Sequence, residues 1–182
     1  VRIVVGAWDD SPFGAFTDVM LQTAGDERVL LAPDDTIAGF VSSTYRFDRV
    51  QLGEVSSTLD AQQLTVSTED FEARIRLGGP AQLDRLLRLV PAGLATSPRW
   101  LRAIDPVAAR VVPGVHTYGT AGNGRVEYYG ARRSRRITAI DGHYRGASLD
   151  GLAPLRPPVS FGFSSAPASP QMVSVTTTID EN

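Results

Sequence analysis

With 182 residues, 42% of them apolar and 21% charged, the chain has the length and composition of one compact domain with a sizeable core. A net charge of −2 argues against a general polyanion binder, because non-specific nucleic-acid binding rests on excess positive charge. Cysteine is absent, which removes disulfides and thiolate chemistry, and all 18 basic residues are arginine, which removes the lysine amine that forms Schiff bases with carbonyls.

No apolar run approaches the ~18 residues of a membrane span, so a cytoplasmic protein without a membrane partner is expected. The opening VRIVVGAW reads as a strand and not as a signal peptide. Without an initiator methionine, what precedes Val1 is left open. Residues 2–8 and 14–23 read as extended, and the AGDE turn leads into VLLAP, an early β-meander. Asp34 or Asp35 is placed to cap a short helix with Ile37, Phe40 and Val41 on one side. TYRFDRVQLGEVSSTL alternates as a long bent strand with Gly53 as a bulge, and QLTVST and FEARIRL follow as two more strands.

The texture then changes. Leu83, Leu86, Leu87 and Val90 recur at helical spacing until Pro91. SPRWLRAIDPVAARVV predicts a second helix, with Ser97 at the N-cap, Pro98 in the first turn and a break near Pro106. Strands are predicted near 115–120, 125–130, 136–144, 158–164 and 172–179. Strands do not alternate with helices, so a doubly wound nucleotide fold is not expected. The pattern predicts a single α+β, β-dominant domain over residues 1–182: a curved antiparallel sheet or cone-like β-barrel with a central helical pair.

The chemistry concentrates in HTYGTAGNGRVEYYGARRSRR, residues 116–136. Gly119, Gly122 and Gly124 lack both the spacing of a dinucleotide fingerprint and the lysine of a P-loop. Asn123-Gly124 suits the bend of a hairpin. A two-residue or a four-residue loop gives the same parity, placing His116, Tyr118 and Thr120 on one face with Arg125, Glu127 and Tyr129. A histidine beside a glutamate and tyrosines supports acid–base chemistry, with Arg125 as an anion clamp. The competing reading of that face is a solvated sheet surface. ARRSRR is either a phosphate-binding patch or a solvated rim between strands, and it lacks the interleaved aromatics of a single-strand nucleic-acid platform. Glu54 is a reserve carboxylate in the long strand, where Arg46 and Asp48 share its parity. His143 reads as a surface residue near a turn. Two histidines without metal-ligand spacing point to no metal site, and no cofactor is implied.

SPFG (Ser11–Gly14) with the extended Asp18-Val19-Met20, and the late PPVSFGF (Pro157–Phe163), resemble acetoacetate decarboxylase-like proteins. AGNGRVEYYGA resembles bacterial relatives of that group more than the true decarboxylases. The resemblance implies a cone-like β-barrel around a pocket, with a catalytic lysine in or near Tyr45–Thr58. This chain reads TYRFDRVQLGEVSST there and has no lysine, so the resemblance speaks for architecture and against Schiff-base chemistry.

The resulting expectation is a small-molecule-binding domain or an enzyme acting without a Schiff base on a carbonyl or carboxylate compound, by a lyase, hydratase or cyclase step. His116 would be acid or base, Glu127 its orienting partner, Tyr118 and Tyr129 hydrogen-bond donors, and Arg125 and Glu54 substrate-binding groups. The alternative is a non-catalytic interaction domain with an arginine and aromatic surface. A homo-oligomer is compatible with either.

Overall fold

A computed structural model describes residues 1–112, 114–120, 124–149, 151–162 and 166–180. The fold is α+β and β-dominant, built on two sheets. The first contains β1 (Arg2–Trp8), β2 (Phe16–Gln22), β3 (Arg28–Ala32) and β4 (Arg49–Leu52), in that order. Strands β1 to β3 are the antiparallel meander that the alternation predicts. Helix α1 (Asp35–Thr44) then crosses over, so β4 lies parallel to β3, the one βαβ unit among the described elements.

Helix α1 starts where the sequence signals it: the Asp34 carboxylate accepts the Ile37 N–H at 2.9 Å, satisfying one of the orphan donors of the first turn. Its buried face is Ile37, Ala38 and Val41. That face packs on Met20, Leu30 and Ala32 of the first sheet, together with Val159 and Phe161. The opposite face of the same sheet presents Val19, Leu21, Val29 and Leu31 to the second sheet, where Leu64, Val66, Phe71, Ala73, Ile75 and Leu77 meet them. Period-two alternation thus places one central sheet between a helix and a second sheet. Completely buried side chains such as Leu21 and Leu30 each contribute about 1.5–3 kcal/mol.

The second sheet contains β5 (Ser56–Leu59), β6 (Gln63–Ser67), β7 (Phe71–Pro80), β8 (Tyr118–Thr120), β9 (Val126–Tyr144), β10 (Ala147–Ser148) and β11 (Gln171–Asp180). Strand β9 is its spine. Residues 135–144 pair with β7, 126–136 with β11, and 126–128 with β8. Gly142 allows β7 to come close: its φ is +148°, and a Cβ there would lie 2.0 Å from the Glu72 carbonyl oxygen.

Several expectations require correction. The long strand over 44–59 is instead the end of α1, then β4, then β5 in the other sheet; the chain changes sheet at 53–55 where a bulge was expected. The strands near 125–130 and 136–144 are one 19-residue strand, so ARRSRR is neither loop nor rim but lies within β9. A register shift between β11 residues Ser174 and Val175 leaves Arg132 bulged between the paired Ala131 and Arg133. Residues 158–162 form no strand, and 163–165 lie outside the described residues. The described residues form no closed barrel.

The expected helical pair is three pieces: α2 (Gln82–Leu87), α3 (Ala92–Ala95) and α4 (Pro98–Val111). Helix α4 begins after Ser97 with Pro98 in its first turn, as predicted, although Ser97 makes no side-chain cap bond, and it runs through Pro106 without a break. In α2 the leucine spacing misleads. Leu86 is 50% exposed, and the buried member of the helix is Asp84. Its carboxylate accepts hydrogen bonds from Arg88 Nε at 2.8 Å, Arg133 Nε at 3.1 Å and the Ser134 backbone N–H at 2.9 Å. Those donors hold the carboxyl below its usual range, the Ser134 N–H first, and they anchor α2 to β9.

Candidate functional site

Strands β8 and β9 form the predicted hairpin, but in another register. Tyr118 lies opposite Tyr128, Gly119 opposite Glu127 and Thr120 opposite Val126. Residues 121–125 therefore connect the strands, an odd number where two or four were expected. Changing loop parity moves every side chain of one strand to the other face. Gly124 has φ +75°, and Asn123 lies outside the described residues. The face expected to hold His116, Tyr118, Thr120, Arg125, Glu127 and Tyr129 is thereby divided in two.

Arg125, Glu127 and Tyr129 face the C-terminal end of α1. The Glu127 carboxylate is 2% exposed and accepts the Tyr129 hydroxyl proton at 2.7 Å and a bond from the Thr44 side chain. Tyr129 in turn meets the hydroxyl of Tyr45 in a short contact. With the Tyr129 proton directed to Glu127, Tyr45 donates to the Tyr129 oxygen, so the three groups form one relay. Arg125 Nη1 donates to Ser43 Oγ at 3.2 Å, which places a cation at the negative end of α1. Burial pushes the Glu127 carboxyl up, against the opposing bonds from Tyr129 and Thr44 and the charge of Arg125. Burial also raises both phenols, and the nearby carboxylate charge adds to it, so they remain protonated donors.

A fourth acidic group stands behind Tyr45. Asp18 on β2 is 1% exposed; Trp8 Nε1 donates to its Oδ1 at 3.0 Å, while Oδ2 is buried with no hydrogen-bond partner among the described residues. Burial pushes this carboxyl up to about 7, opposed by the Trp8 bond, and its charge acts on Tyr45. The close fit is made by Gly6, the cross-strand neighbour of Asp18, where a Cβ would lie 2.5 Å from Oδ1. Gly162 similarly admits the Tyr45 ring.

His116 and Tyr118 go elsewhere. Helix α4 captures the chain just before β8: Asp105 accepts the Thr117 N–H at 2.6 Å and pairs with His116 Nδ1 at 3.1 Å, and Thr117 Oγ1 donates to the Leu101 carbonyl at 2.6 Å. Burial of Asp105 works upward on its carboxyl, but the bonds from His116 and Thr117 outweigh it and hold the group low. Tyr118 stacks on Tyr128 with ring centres 6.1 Å apart, and Arg102 lies over both rings while donating to the Tyr128 hydroxyl at 2.7 Å. The pairing of His116 with Glu127 is thus replaced by His116 with Asp105. Glu54 is exposed in the connection between β4 and β5, away from both clusters, and Asp48 pairs with Arg28 instead of Arg46. His143 is an exposed residue of β9.

The sequence reading missed Asp18, Trp8, Tyr45, Asp105 and Asp84. For Asp18 a signal existed: an aspartate inside an apolar strand whose cross-strand glycine leaves room for it. Two clefts lie apart from the relay. One of about 420 Å³ lies beside the start of α1, with Phe13, Phe16, Thr17, Asp34, Ile37 and Val55 among its walls. The other, of about 310 Å³, is lined by Pro80, Arg133, Ser134, Arg135, Met172 and Ser174. Comparison with protein-family models, curated proteins and solved structures finds no match, so the resemblance to acetoacetate decarboxylase-like proteins rests on its sequence fragments alone.

Proposed function

We propose that this domain binds a small carbonyl or carboxylate compound and acts on it by non-covalent acid–base chemistry, of a lyase, hydratase or cyclase type. The observation that carries the reading is the buried Glu127–Tyr129–Tyr45 relay with Asp18 behind it. Burial raises the Glu127 carboxyl above its ordinary range, which makes it a stronger proton acceptor than an exposed carboxylate. The phenol protons are held within the relay, Tyr45 to Tyr129 and Tyr129 to Glu127, so a developing oxyanion gains a donor by taking the place of the Tyr129 oxygen at Tyr45. Arg125 supplies a fixed cation for a ligand carboxylate. In this assignment Glu127 is the acid or base, Tyr129 and Tyr45 are donors and Arg125 is the clamp. His116, Tyr118 and Glu54 are left out because they face other neighbours.

The test is a thermal-shift screen of keto acids, hydroxy acids and dicarboxylates, followed by turnover of each hit monitored by NMR. A ligand present at 100 times its Kd stabilises the fold by about 2.7 kcal/mol. Arg125→Ala is expected to lose the shift, and Glu127→Gln to retain binding but lose turnover. Hits that shift the wild type, Arg125→Ala and Glu127→Gln equally would remove the site from this location.

A second reading, a non-catalytic interaction domain, is favoured by the helical segment. Leu86, Leu89, Leu94, Val107 and Val111 are all at least 44% exposed there, with Leu89 at 78%. Monomeric surfaces seldom carry so many large apolar side chains on one insertion. Mixing experiments by analytical ultracentrifugation decide it: Leu89→Asp weakens self-association or partner binding under this reading and leaves ligand turnover untouched.

A further inference from the structure

The arginine run of β9 lines the 310 Å³ cleft, on a different part of the molecule from the relay. We infer that this cleft is a binding site for a small phosphorylated compound. Arg133 and Arg135 are alternate residues of one strand, so their side chains leave the same face, with Cα atoms about 7 Å apart. Both side chains line the cleft, so a phosphate entering it meets two guanidinium groups.

Both side chains are held in place before any ligand arrives. Arg133 Nε is committed to Asp84, leaving its two Nη groups as a fork. Arg135 donates from Nε to the Gly78 carbonyl at 3.0 Å and from Nη2 to the Ala61 carbonyl at 2.8 Å, leaving Nη1. Immobilising a long side chain opposes ligand binding, and these two are already ordered by their tethers. Solvated rim arginines have no such tethers.

Charge and shape select the ligand class. Asp84, the buried anion beside the cleft, is shared between Arg88 and Arg133, and the cleft wall itself carries two guanidinium groups, Arg133 and Arg135. Two fixed positive charges suit a phosphate dianion. Ser174 adds an exposed hydroxyl on β11, while Pro80 and Met172 give apolar wall for a short carbon skeleton. Among the described residues the cleft has no aromatic side chain on which a nucleic-acid base would stack, so a nucleic acid is not the occupant.

The experiment is isothermal titration of the full chain with inorganic phosphate and with pyrophosphate at constant ionic strength, with succinate as the carboxylate control and an oligothymidylate as the polymer control. Saturable phosphate binding is expected, weakened at least tenfold by Arg133→Gln. Ser174→Glu leaves the tethers of both arginines intact, places a carboxylate at the cleft and is expected to weaken phosphate to the same degree, which guards against a folding defect in Arg133→Gln. Arg74→Gln, at an exposed arginine paired with Glu72 on β7, is expected to bind as the wild type does. Equal binding by all variants, equal binding of succinate, or affinity that grows with oligothymidylate length would each overturn the assignment. None of these results bears on Glu127 or Arg125, so the two sites succeed or fail separately.

Discussion

Replacing Asp18 by asparagine tests the electrostatics of the buried relay most directly. The Asp18 carboxyl is pushed from 3.8 up to about 7 in the folded chain. Between those values the folded state binds a proton that the unfolded state has released. Stability therefore falls as pH rises from about 4 to 7, and the full cost is in place above 7. Each pKa unit corresponds to 1.36 kcal/mol, so the three units amount to about 4 kcal/mol. The substituted amide keeps an oxygen for Trp8 Nε1 and has no charge to bury, so Asp18→Asn is expected to melt close to the wild type at pH 4.5 and above it at pH 8. For a chain of this length 1 kcal/mol corresponds to about 2–4 °C, so the gap at pH 8 reaches about 10 °C. Thermal and urea melts at half-unit intervals from pH 4.5 to 8.5 measure it. Two curves that stay parallel across the range would show that Asp18 is ionised in the folded protein and would refute the reasoning.

At the acid end the sign reverses for Asp48, whose carboxyl the Arg28 guanidinium and backbone N–H hold down at about 2. Its contribution is present above pH 4 and is lost as pH falls toward 2, so Asp48→Asn should flatten that limb of the wild-type stability curve in acid titrations followed by circular dichroism. Tyr129→Phe removes the link between Glu127 and Tyr45 and leaves a buried carboxylate one donor short, a loss of about 1–3 kcal/mol readable in urea denaturation. Gly142→Ala drives a Cβ into the Glu72 carbonyl and forces a positive φ on alanine. A loss of about 3 kcal/mol or more is expected, along with rapid amide exchange in the β7–β9 ladder.

What could be read in advance was local. Asp34 announces α1 because a capping carboxylate acts within three residues, and β1 to β3 are legible because their alternation and turns lie within one stretch of chain. The hairpin at 118–128 shows the limit. Its strands are visible, but the faces depend on whether the loop is odd or even, and a glycine-rich turn tolerates both. One residue of loop length separated His116 from Glu127 and gave each a different partner. Helix α2 fails for a related reason: leucine spacing is a local pattern, whereas the Asp84 partners Arg133 and Ser134 are 49 and 50 residues away. The same holds for ARRSRR, whose strand character comes chiefly from β11, which pairs with Ala131 and with Arg133 to Arg136. Tyr45 was legible as a strand residue only, because nothing local shows that a helix end will bring it to Tyr129.

Strand β9 also orders events in time. The first sheet and α1 use residues 2–52, so their pairing can begin as soon as that stretch leaves the ribosome. The second sheet cannot close so early: β7 waits for residues 135–144, and β9 waits for β11 at 171–180. Until then β7 has an open edge, its backbone groups along the β9 side without their partners. Contacts of such long sequence separation form slowly and leave edges open to other chains meanwhile. Along β7, Arg74 and Arg76 alternate with the apolar Ile75 and Leu77, and β9 brings Arg132, Arg133, Arg135 and Arg136. A nascent edge that carries so many like charges repels its own copies while it waits for its partner strand.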